Sequence, residues 1–454
     1  NGIVDLLFDQ NAGMQGALTL FLGRVCSTTA LPGIMAEKFN ARVFAIHPRR
    51  LGFWRAEIRG VRLPGESTAA AVTLACNRWL EETLRSDENA CASWLWVHDR
   101  WRHQDVPAKR LRLESRRNLL DPATLAAAPR RTRIRIRLPN WLGDVVMTLP
   151  LLRALRASRP DAELTLVARA AFLPLLREWR VADRLEPLPA RGPGYFAHFL
   201  RRRLEYPDVA LLFTHSVRGD LEAWLTRAPQ RFGIVRPGRA RPLLTAAWRA
   251  PAACDGPGCH QFDCWEQFLR HFGLAAPADR TPFAPVRAPR PDDPVGLICG
   301  SENLPLKRWP VGHWRTLIAA FPTRRFLLFG TAGDRAITSE VAAGFPPERV
   351  EDLAGATALT EFAARLRTCA LLVTNDTGGM HLANAVGVPV LALFGPTNPL
   401  RTGPVFSAPV RLLQPPGCAP TGGGALDRLA PETVAAELSA LLSAADAAPA
   451  ARPG

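Results

Sequence analysis

The chain is poor in lysine, in paired cysteines and in long apolar runs. Lysine occurs only at Lys38, Lys109 and Lys307 although the formal net charge is +16, so arginine carries almost all of the positive charge. The nine cysteines include no CxxC pair, which gives no disulfide framework and fits reduced, cytoplasmic thiols. No apolar run approaches the roughly 18 residues of a membrane span, and no secretory signal is visible.

The sequence also argues against a zinc site and against nucleic acid as a partner. Cys254, Cys259 and Cys264 recur every five residues around His260, but zinc sites use shorter cysteine spacings, so we interpret this segment as a structural loop and predict no metal site. The arginines are dispersed, without a helix-turn-helix signature or aromatic interleaving, so nucleic acid is not an expected partner. Arginine clusters such as 130–131 and 201–203 instead favour an anionic membrane surface.

The 454 residues are enough for about three domains. Two successive β/α series, joined by a proline-rich segment at 284–294, predict two Rossmann-like domains that face one cleft. Because the chain starts at Asn1, directly in a strand-like run, we expect it to lack the true N-terminus of the protein. The predicted divisions are a front block (1–120), an Ala/Pro linker (121–130), the first Rossmann-like domain (131–290), the second (291–445) and a disordered tail (446–454).

The most informative segment is LLVTNDTGGMHLANAVGVPVLALFGPTNP, from Leu371 to Pro399. It predicts a strand, a polar glycine-containing turn, a helix and a second strand. Free backbone N–H groups and the helix dipole make the turn at Thr377 and Gly378 an anion site, most naturally for a diphosphate. Asp376 beside it would suit sugar or ribose hydroxyls. A tight turn with a capping aspartate is the alternative.

A second segment, PNWLGD at 139–144, follows the strand predicted at 133–138. Gly143 would permit an unusual backbone turn, and Asp144 follows at the start of a helix. Ligands of open parallel sheets bind at this end of the strands. Asp144 is therefore either a helix cap or a general base.

A third candidate is Lys307, which lies in GSENLPLKRWP after the apolar run 295–299. A single lysine in a loop is commonly solvent-exposed. Its position just beyond a strand end, in a chain that otherwise uses arginine, favours a contact with phosphate.

These residues carry a resemblance to a known family. The ordered segments LPNWLGDVVMTLPLLRAL, GSENLPLKRWPVGHW and TNDTGGMHLANAVGVPVLALFGPTNP are similar to glycosyltransferase family 9, the ADP-heptose:lipopolysaccharide heptosyltransferases, especially its heptosyltransferase II branch. The resemblance runs from about residue 133 to 445. It implies a GT-B fold, inversion at the anomeric carbon, no metal and no cofactor beyond the ADP-heptose co-substrate.

The same resemblance implies roles for individual residues. Asp144 matches the base that deprotonates the acceptor hydroxyl, and Lys307 matches a lysine on the donor phosphates. Apart from the resemblance, Glu302 and Trp309 are candidates for a wall of the donor pocket. Trp309 is a candidate because it lies beside Lys307, and a core position is its alternative because tryptophans are more often core residues. Residues 301, 303 and 304 depart from the family pattern and leave the preferred donor sugar open. The residues that match the donor loop and its following helix are Asp376, Thr377, Gly378 and His381.

The front block resembles another family, the lauroyl/myristoyl lipid A acyltransferases, through FDQNAGMQGALTLFLGRVCSTTALPGIMAEKF and SWLWVHDRWR. That family uses an H-x4-D/E motif, which would precede residue 1. The spacing occurs here only at His215 and Asp220, within the glycosyltransferase-like part, and we interpret it as chance. Three arginines, Arg24, Arg49 and Arg50, are candidates for contacts with acyl carrier protein or lipid phosphates.

The sequence thus predicts an α/β protein: a GT-B fold of two Rossmann-like domains behind a partial α/β acyltransferase domain. We expect a cytoplasmic enzyme, peripheral to the inner membrane, that transfers heptose to the lipopolysaccharide core or lipid A acceptor. Two alternatives stay open. In its full-length form the protein would be a bifunctional acyltransferase and glycosyltransferase, or it would be a non-catalytic scaffold that binds nucleotide.

Overall fold

The structure is a computed structural model. It describes residues 2–13, 16–63, 68–101, 119, 132–160, 162–205, 207–286, 289–302 and 304–446. The linker predicted at 121–130, the tail beyond Asp446 and Asn303 lie outside the described residues. No helix in these ranges is both long and apolar enough to cross a bilayer.

Strands in the described part of the chain fall into four sheets. They are β1 (Ala17–Phe21), β2 (Arg24–Thr28), β3 (Phe44–Arg50), β4 (Ala56–Arg62), β5 (Thr132–Arg137), β6 (Ala162–Ala168), β7 (Arg184–Pro187), β8 (Val209–Leu212), β9 (Gln230–Val235), β10 (Ala246–Arg249), β11 (Val295–Ile298), β12 (Phe326–Phe329), β13 (Val350–Asp352), β14 (Leu371–Asn375), β15 (Val390–Leu393) and β16 (Val410–Leu413).

Most helices of the described residues lie between strands. They are α1 (Leu31–Phe39), α2 (Ala69–Ser86), α3 (Glu88–Ser93), α4 (Leu142–Ser158), α5 (Leu173–Glu178), α6 (Tyr195–Arg201), α7 (Val217–Leu225), α8 (Ala252–Asp255), α9 (Gln261–His271), α10 (Val311–Ala319), α11 (Arg335–Ala342), α12 (Leu359–Leu366), α13 (Gly378–Ala385), α14 (Pro399–Thr402) and α15 (Pro431–Asp446). Short 3₁₀ turns include Arg202–Glu205 and Pro305–Lys307.

Two six-stranded sheets have the same topology. Their strand orders are β7-β6-β5-β8-β9-β10 and β13-β12-β11-β14-β15-β16, and all neighbouring strands are parallel. The central strands are short apolar runs buried on both faces, as in β14, which is typical of parallel sheets covered by helices. This doubly wound order confirms the prediction of two Rossmann-like domains.

The alternation of arginine and apolar residues in β5 does not mean that its arginines face solvent. Arg135 and Arg137 are buried. Arg135 pairs with Glu186, and the Nε atom of Arg137 lies 2.7 Å from Oε2 of Glu222. A buried arginine is tolerated only when it is paired and hydrogen-bonded, and each of these has a carboxylate partner.

The front block is built differently. Its strands form two antiparallel pairs, β1 with β2 and β3 with β4, packed beside α1 and α2. Inside it, the buried guanidinium of Arg100 donates to the side chains of Thr28 (3.0 Å) and Asn77. A small core around Phe21 and Leu80 completes the block.

The segment between the two parallel sheets packs against both halves of the GT-B-like part. The backbone N–H of Phe283 donates to the carbonyl of Ala385 at 2.7 Å. Its ring stacks on Trp179, with centroids 4.2 Å apart, so this segment contacts both domains.

Candidate functional site

The site lies where three loops meet at the carboxyl ends of parallel strands. In each sheet the winding direction reverses between the two central strands, β5 and β8 in the first and β11 and β14 in the second. Loops diverge at such a point and leave a crevice. Asp144 follows β5, Lys307 follows β11 and Asp376 follows β14.

Asn375, the last residue of β14, ties two of these loops together. It is fully buried, and its Nδ2 donates to the carbonyls of Cys299 (2.8 Å) and Gly300 (3.3 Å). Its Oδ1 accepts from the backbone N–H of Trp309 at 3.2 Å. Sequence reasoning gave Asn375 no role. The available signal was a polar amide at the end of an apolar run, where a buried side chain must find partners.

Lys307 and Asp376 form an ion pair in the cleft. Lys307 Nζ lies 2.7 Å from Asp376 Oδ2, and both side chains are largely buried. The helix cap of α13 is Thr377, whose side chain makes no capping bond. Asp376 is therefore not the capping residue of a simple turn, and Lys307 is not a free surface lysine.

The first turns of α4 and α13 contact each other across the cleft. A Cβ added at Gly378 would lie 2.9 Å from Cβ of Leu142, and one added at Gly143 would lie 2.7 Å from Cδ2 of His381. Gly143 lies inside α4 and its φ is not left-handed, so the expected unusual turn is wrong. Its glycine is required by the close approach of the two helices.

Gly143→Ala is therefore expected to destabilise the protein. The new methyl group would meet the ring of His381, which is buried and has little room to move. Overpacking of this kind costs about 1–3 kcal/mol. Urea unfolding followed by circular dichroism would measure the loss, with Gly312→Ala as the control because a Cβ there meets nothing within 4 Å. Equal stability of the two variants would contradict the contact.

Asp144 is the third residue of α4, whose N-cap residue is Trp141. Burial and, secondly, the carboxylate of Asp376 raise the pKa of Asp144 to about 6, while Lys307 opposes them. The three charged groups therefore share one small region. An aspartate with a pKa near neutrality can accept a proton under working conditions, which a carboxylate in water does poorly.

His381 lies beside this region on α13. It is buried, and burial lowers the pKa of its imidazole to about 4, an effect that the Asp376 carboxylate partly opposes. The ring is therefore neutral at neutral pH. Within the described residues its Nδ1 has no hydrogen-bond partner, which leaves a polar atom free beside the ion pair.

The two residues proposed for a donor-pocket wall are placed differently. Glu302 is exposed in the loop after β11. Trp309 is 1% exposed, and its indole N–H donates to the carbonyl of Leu429 at 2.8 Å. The structure corrects the expectation for Trp309: its ring belongs to the core of the second domain, because its N–H finds its partner there.

His215 and Asp220, the pair at H-x4-D spacing, have different surroundings in the structure. Asp220 is buried and accepts from Nε of Arg241 at 3.0 Å. Burial and, secondly, the charge of Arg236 lower the pKa of His215 to about 4. The carboxylate thus serves an arginine, in keeping with our interpretation of this spacing as chance.

Comparison with known proteins agrees with this architecture. Residues 270–422 match the family model for glycosyltransferase family 9 (heptosyltransferase). The chain is 29% identical over 305 residues to lipooligosaccharide heptosyltransferase 2 of Haemophilus influenzae, and the match covers 59% of this chain and 84% of that protein. It is 28% identical over 292 residues to lipopolysaccharide heptosyltransferase 2 of Salmonella typhimurium, with the same coverage.

Solved structures show the same fold. The structure of Escherichia coli ADP-heptose lipopolysaccharide heptosyltransferase II superposes with a TM-score of 0.56 at 26% identity, over 70% of this chain and all of that chain. A family 9 glycosyltransferase from Veillonella parvula gives a TM-score of 0.60 at 23% identity, over 69% of this chain and 98% of that chain. Over the part that these matches cover, the chain is similar to the heptosyltransferases of glycosyltransferase family 9, and this similarity supports an enzyme.

Proposed function

We propose that the chain transfers a heptose from ADP-heptose to the inner core of lipopolysaccharide, with inversion at the anomeric carbon and without a metal ion. The observation that carries the proposal is the meeting of Asp144 with the Lys307–Asp376 pair between two helix N-termini. The names of the similar heptosyltransferases supply the donor and the acceptor class.

Asp144 is the proposed base. As the acceptor hydroxyl oxygen attacks the anomeric carbon, its proton passes to the Asp144 carboxylate. The bond from that carbon to the phosphate oxygen breaks, and ADP leaves with the electron pair. One displacement from the face opposite ADP inverts the configuration. The raised pKa of Asp144 matches this task because a general base works best when its pKa is near the working pH.

The departing diphosphate needs positive charge. Lys307 supplies an ammonium group with three donors, of which one is used by Asp376. The N-terminus of α13 adds backbone N–H groups and the positive end of its dipole. Groups held in place before the reaction commonly give the largest part of transition-state stabilisation. These two sources support metal-independent transfer, and full activity in excess EDTA is the expected result.

The proposal has a direct test. The protein would be incubated with ADP-heptose and a deacylated core acceptor, and the product read by mass spectrometry. Addition of one heptose with release of ADP supports transfer, and NMR of the new glycosidic bond reports inversion. ADP binding without turnover over a set of core acceptors would instead support the alternative of a nucleotide-binding scaffold.

The pH dependence follows from the charges around Asp144. Because the base must be ionised, kcat/KM should rise with pH through about 6 and then level off. Asp376 raises the pKa of Asp144 and Lys307 lowers it. The rising limb should therefore move to lower pH in Asp376→Asn and to higher pH in Lys307→Ala. Three profiles with the same midpoint would show that another group titrates.

We propose that the front block, residues 1–120, is an acyltransferase-like domain that precedes the two GT-B domains at 131–290 and 291–445. In it Arg49 lies near Glu57 and Asp87, which leaves Arg24 and Arg50 as cations for an acidic carrier protein. We expect this chain to transfer no acyl group from acyl carrier protein to a lipid A precursor. Acyl transfer that is lost in His215→Ala would overturn this expectation.

A further inference from the structure

Helix α6 and the 3₁₀ turn after it present an apolar stripe to solvent. Phe196, Leu200 and Leu204 follow one another at intervals of four residues and are 40%, 39% and 78% exposed. The opposite side of α6 is fixed in the core by Tyr195 and Phe199. The helix is therefore firmly anchored while its outer face has no protein cover among the described residues.

Helix α7 adds a second stripe beside the first. Val217 and Trp224, seven residues apart and hence on one helix face, are 74% and 45% exposed. The two helices pack on each other through Leu225 and Phe199, and Nε of Arg203 donates to the carbonyl of Leu225 at 2.8 Å. Together the outer faces of α6, its 3₁₀ turn and α7 form one surface, named here the α6–α7 surface.

The most exposed charged residues of this surface are positive. Arg201 and Arg218 are exposed. The acidic residues of α7 point inward: Asp220 is bound to Arg241, and Glu222 accepts from Arg137 and from the Tyr195 hydroxyl. Glu205, in the 3₁₀ turn, is partly exposed and is paired with Arg202 at 2.7 Å. The α6–α7 surface is therefore apolar and mainly basic, because its carboxylates are paired with arginines.

We propose that the α6–α7 surface lies on an anionic lipid bilayer. A row of aliphatic and aromatic side chains with arginines and no exposed carboxylate on α7 is the pattern of a helix that rests in the interface of such a membrane. Helix α7 begins at the carboxyl end of β8, next to the strand that precedes Asp144. Docking here places the rim of the cleft beside the bilayer. The inference goes beyond the reaction and does not depend on which sugar is transferred.

Vesicle sedimentation tests the apolar part. The full chain is mixed with vesicles of phosphatidylcholine containing phosphatidylglycerol, and the double variant Leu200→Gln/Trp224→Gln is compared with it. We expect about a tenfold or greater loss of binding, because both side chains lose apolar area that enters the lipid. The control is Leu400→Gln, which removes a leucine of similar exposure (45%) from the second domain and should bind as the unchanged chain does.

The basic part is tested on the same vesicles. Each of Arg201→Gln and Arg218→Gln should weaken binding about fivefold, since one basic residue near an anionic surface contributes about 1 kcal/mol. Pure phosphatidylcholine or high salt should remove this difference. Circular dichroism of every variant shows that it is folded.

A second exposed apolar group is the main alternative surface for membrane binding. Phe53 and Trp54, at the tip of the β3–β4 hairpin, are 77% and 90% exposed. If Phe53→Ser/Trp54→Ser abolishes vesicle binding and the α6–α7 variants do not change it, the proposal is wrong. A concentration-dependent dimer that Trp224→Gln dissolves, without vesicle binding, would also overturn it. Turnover of a water-soluble acceptor is measured in parallel, so failure of membrane docking stays distinct from failure of the transferase assignment.

Discussion

Asp144→Asn is expected to lower kcat by about 10²–10⁴-fold, the usual effect of losing a general base. Asparagine keeps the size of the side chain in the first turn of α4 but cannot take the acceptor proton. The affinity for ADP should change little, because the contacts proposed for the phosphates lie on Lys307 and α13. Initial rates with ADP-heptose and a core acceptor, together with calorimetry of ADP binding, measure the two effects separately.

The same variant should be more stable than the unchanged chain at pH 7. Burial raises the folded-state pKa of Asp144 from 3.8 to about 6, so the folded protein binds this proton more tightly than the unfolded chain. Stability linked to this group is therefore present below pH 4 and is lost as the pH rises to 6. A shift of two pKa units corresponds to about 2–3 kcal/mol.

Asp427→Asn is the matched control for this substitution, because Asp427 is an exposed aspartate in the second domain. It should keep the rate and the melting temperature of the unchanged chain. A normal rate in Asp144→Asn would remove this carboxylate from the chemistry. A lower melting temperature at pH 7 would show that its ionised form is stabilised rather than strained.

Lys307→Ala is expected to raise the Kd for ADP by about 10- to 150-fold, because a charge-assisted hydrogen bond contributes about 1.5–3 kcal/mol. The loss has two physical causes. The diphosphate loses an ammonium partner, and Asp376 loses the cation that lies 2.7 Å from it. An unpaired carboxylate then remains beside the phosphates and repels them.

Lys38→Ala is the control for this experiment, because Lys38 is an exposed lysine of the front block. Isothermal titration with ADP should give the same Kd for this control as for the unchanged chain. If Lys307→Ala also binds ADP normally, the donor site does not include Lys307. Lys307→Arg keeps the charge but alters its geometry, and an intermediate Kd would show that charge alone recovers part of the affinity.

Features that depend on residues close in sequence could be predicted, whereas contacts between residues distant in sequence could not. The strand, turn and helix at 371–385 follow from an apolar run, a polar turn and a stretch free of proline, all of which are local. The ion pair of Lys307 with Asp376 joins residues 69 positions apart, and no local pattern encodes that pairing. The position of Trp309 beside Lys307 indicates a wall of the donor pocket, yet the indole N–H of Trp309 donates to Leu429, which is 120 positions away.

The sequence by itself determined the repeated β/α order and the positions of Asp144, Lys307 and Asp376 just beyond strand ends. It also shows no apolar run long enough to span a membrane. These follow from short-range chemistry: apolar runs form buried strands, and polar glycine-containing turns start helices. Only the tertiary structure decided that Asp144 and the Lys307–Asp376 pair share one cleft and that Arg135 lies buried beside Glu186. The physical reason is that the pKa of a carboxylate and the burial of a charge depend on which distant groups the fold brings within a few ångströms.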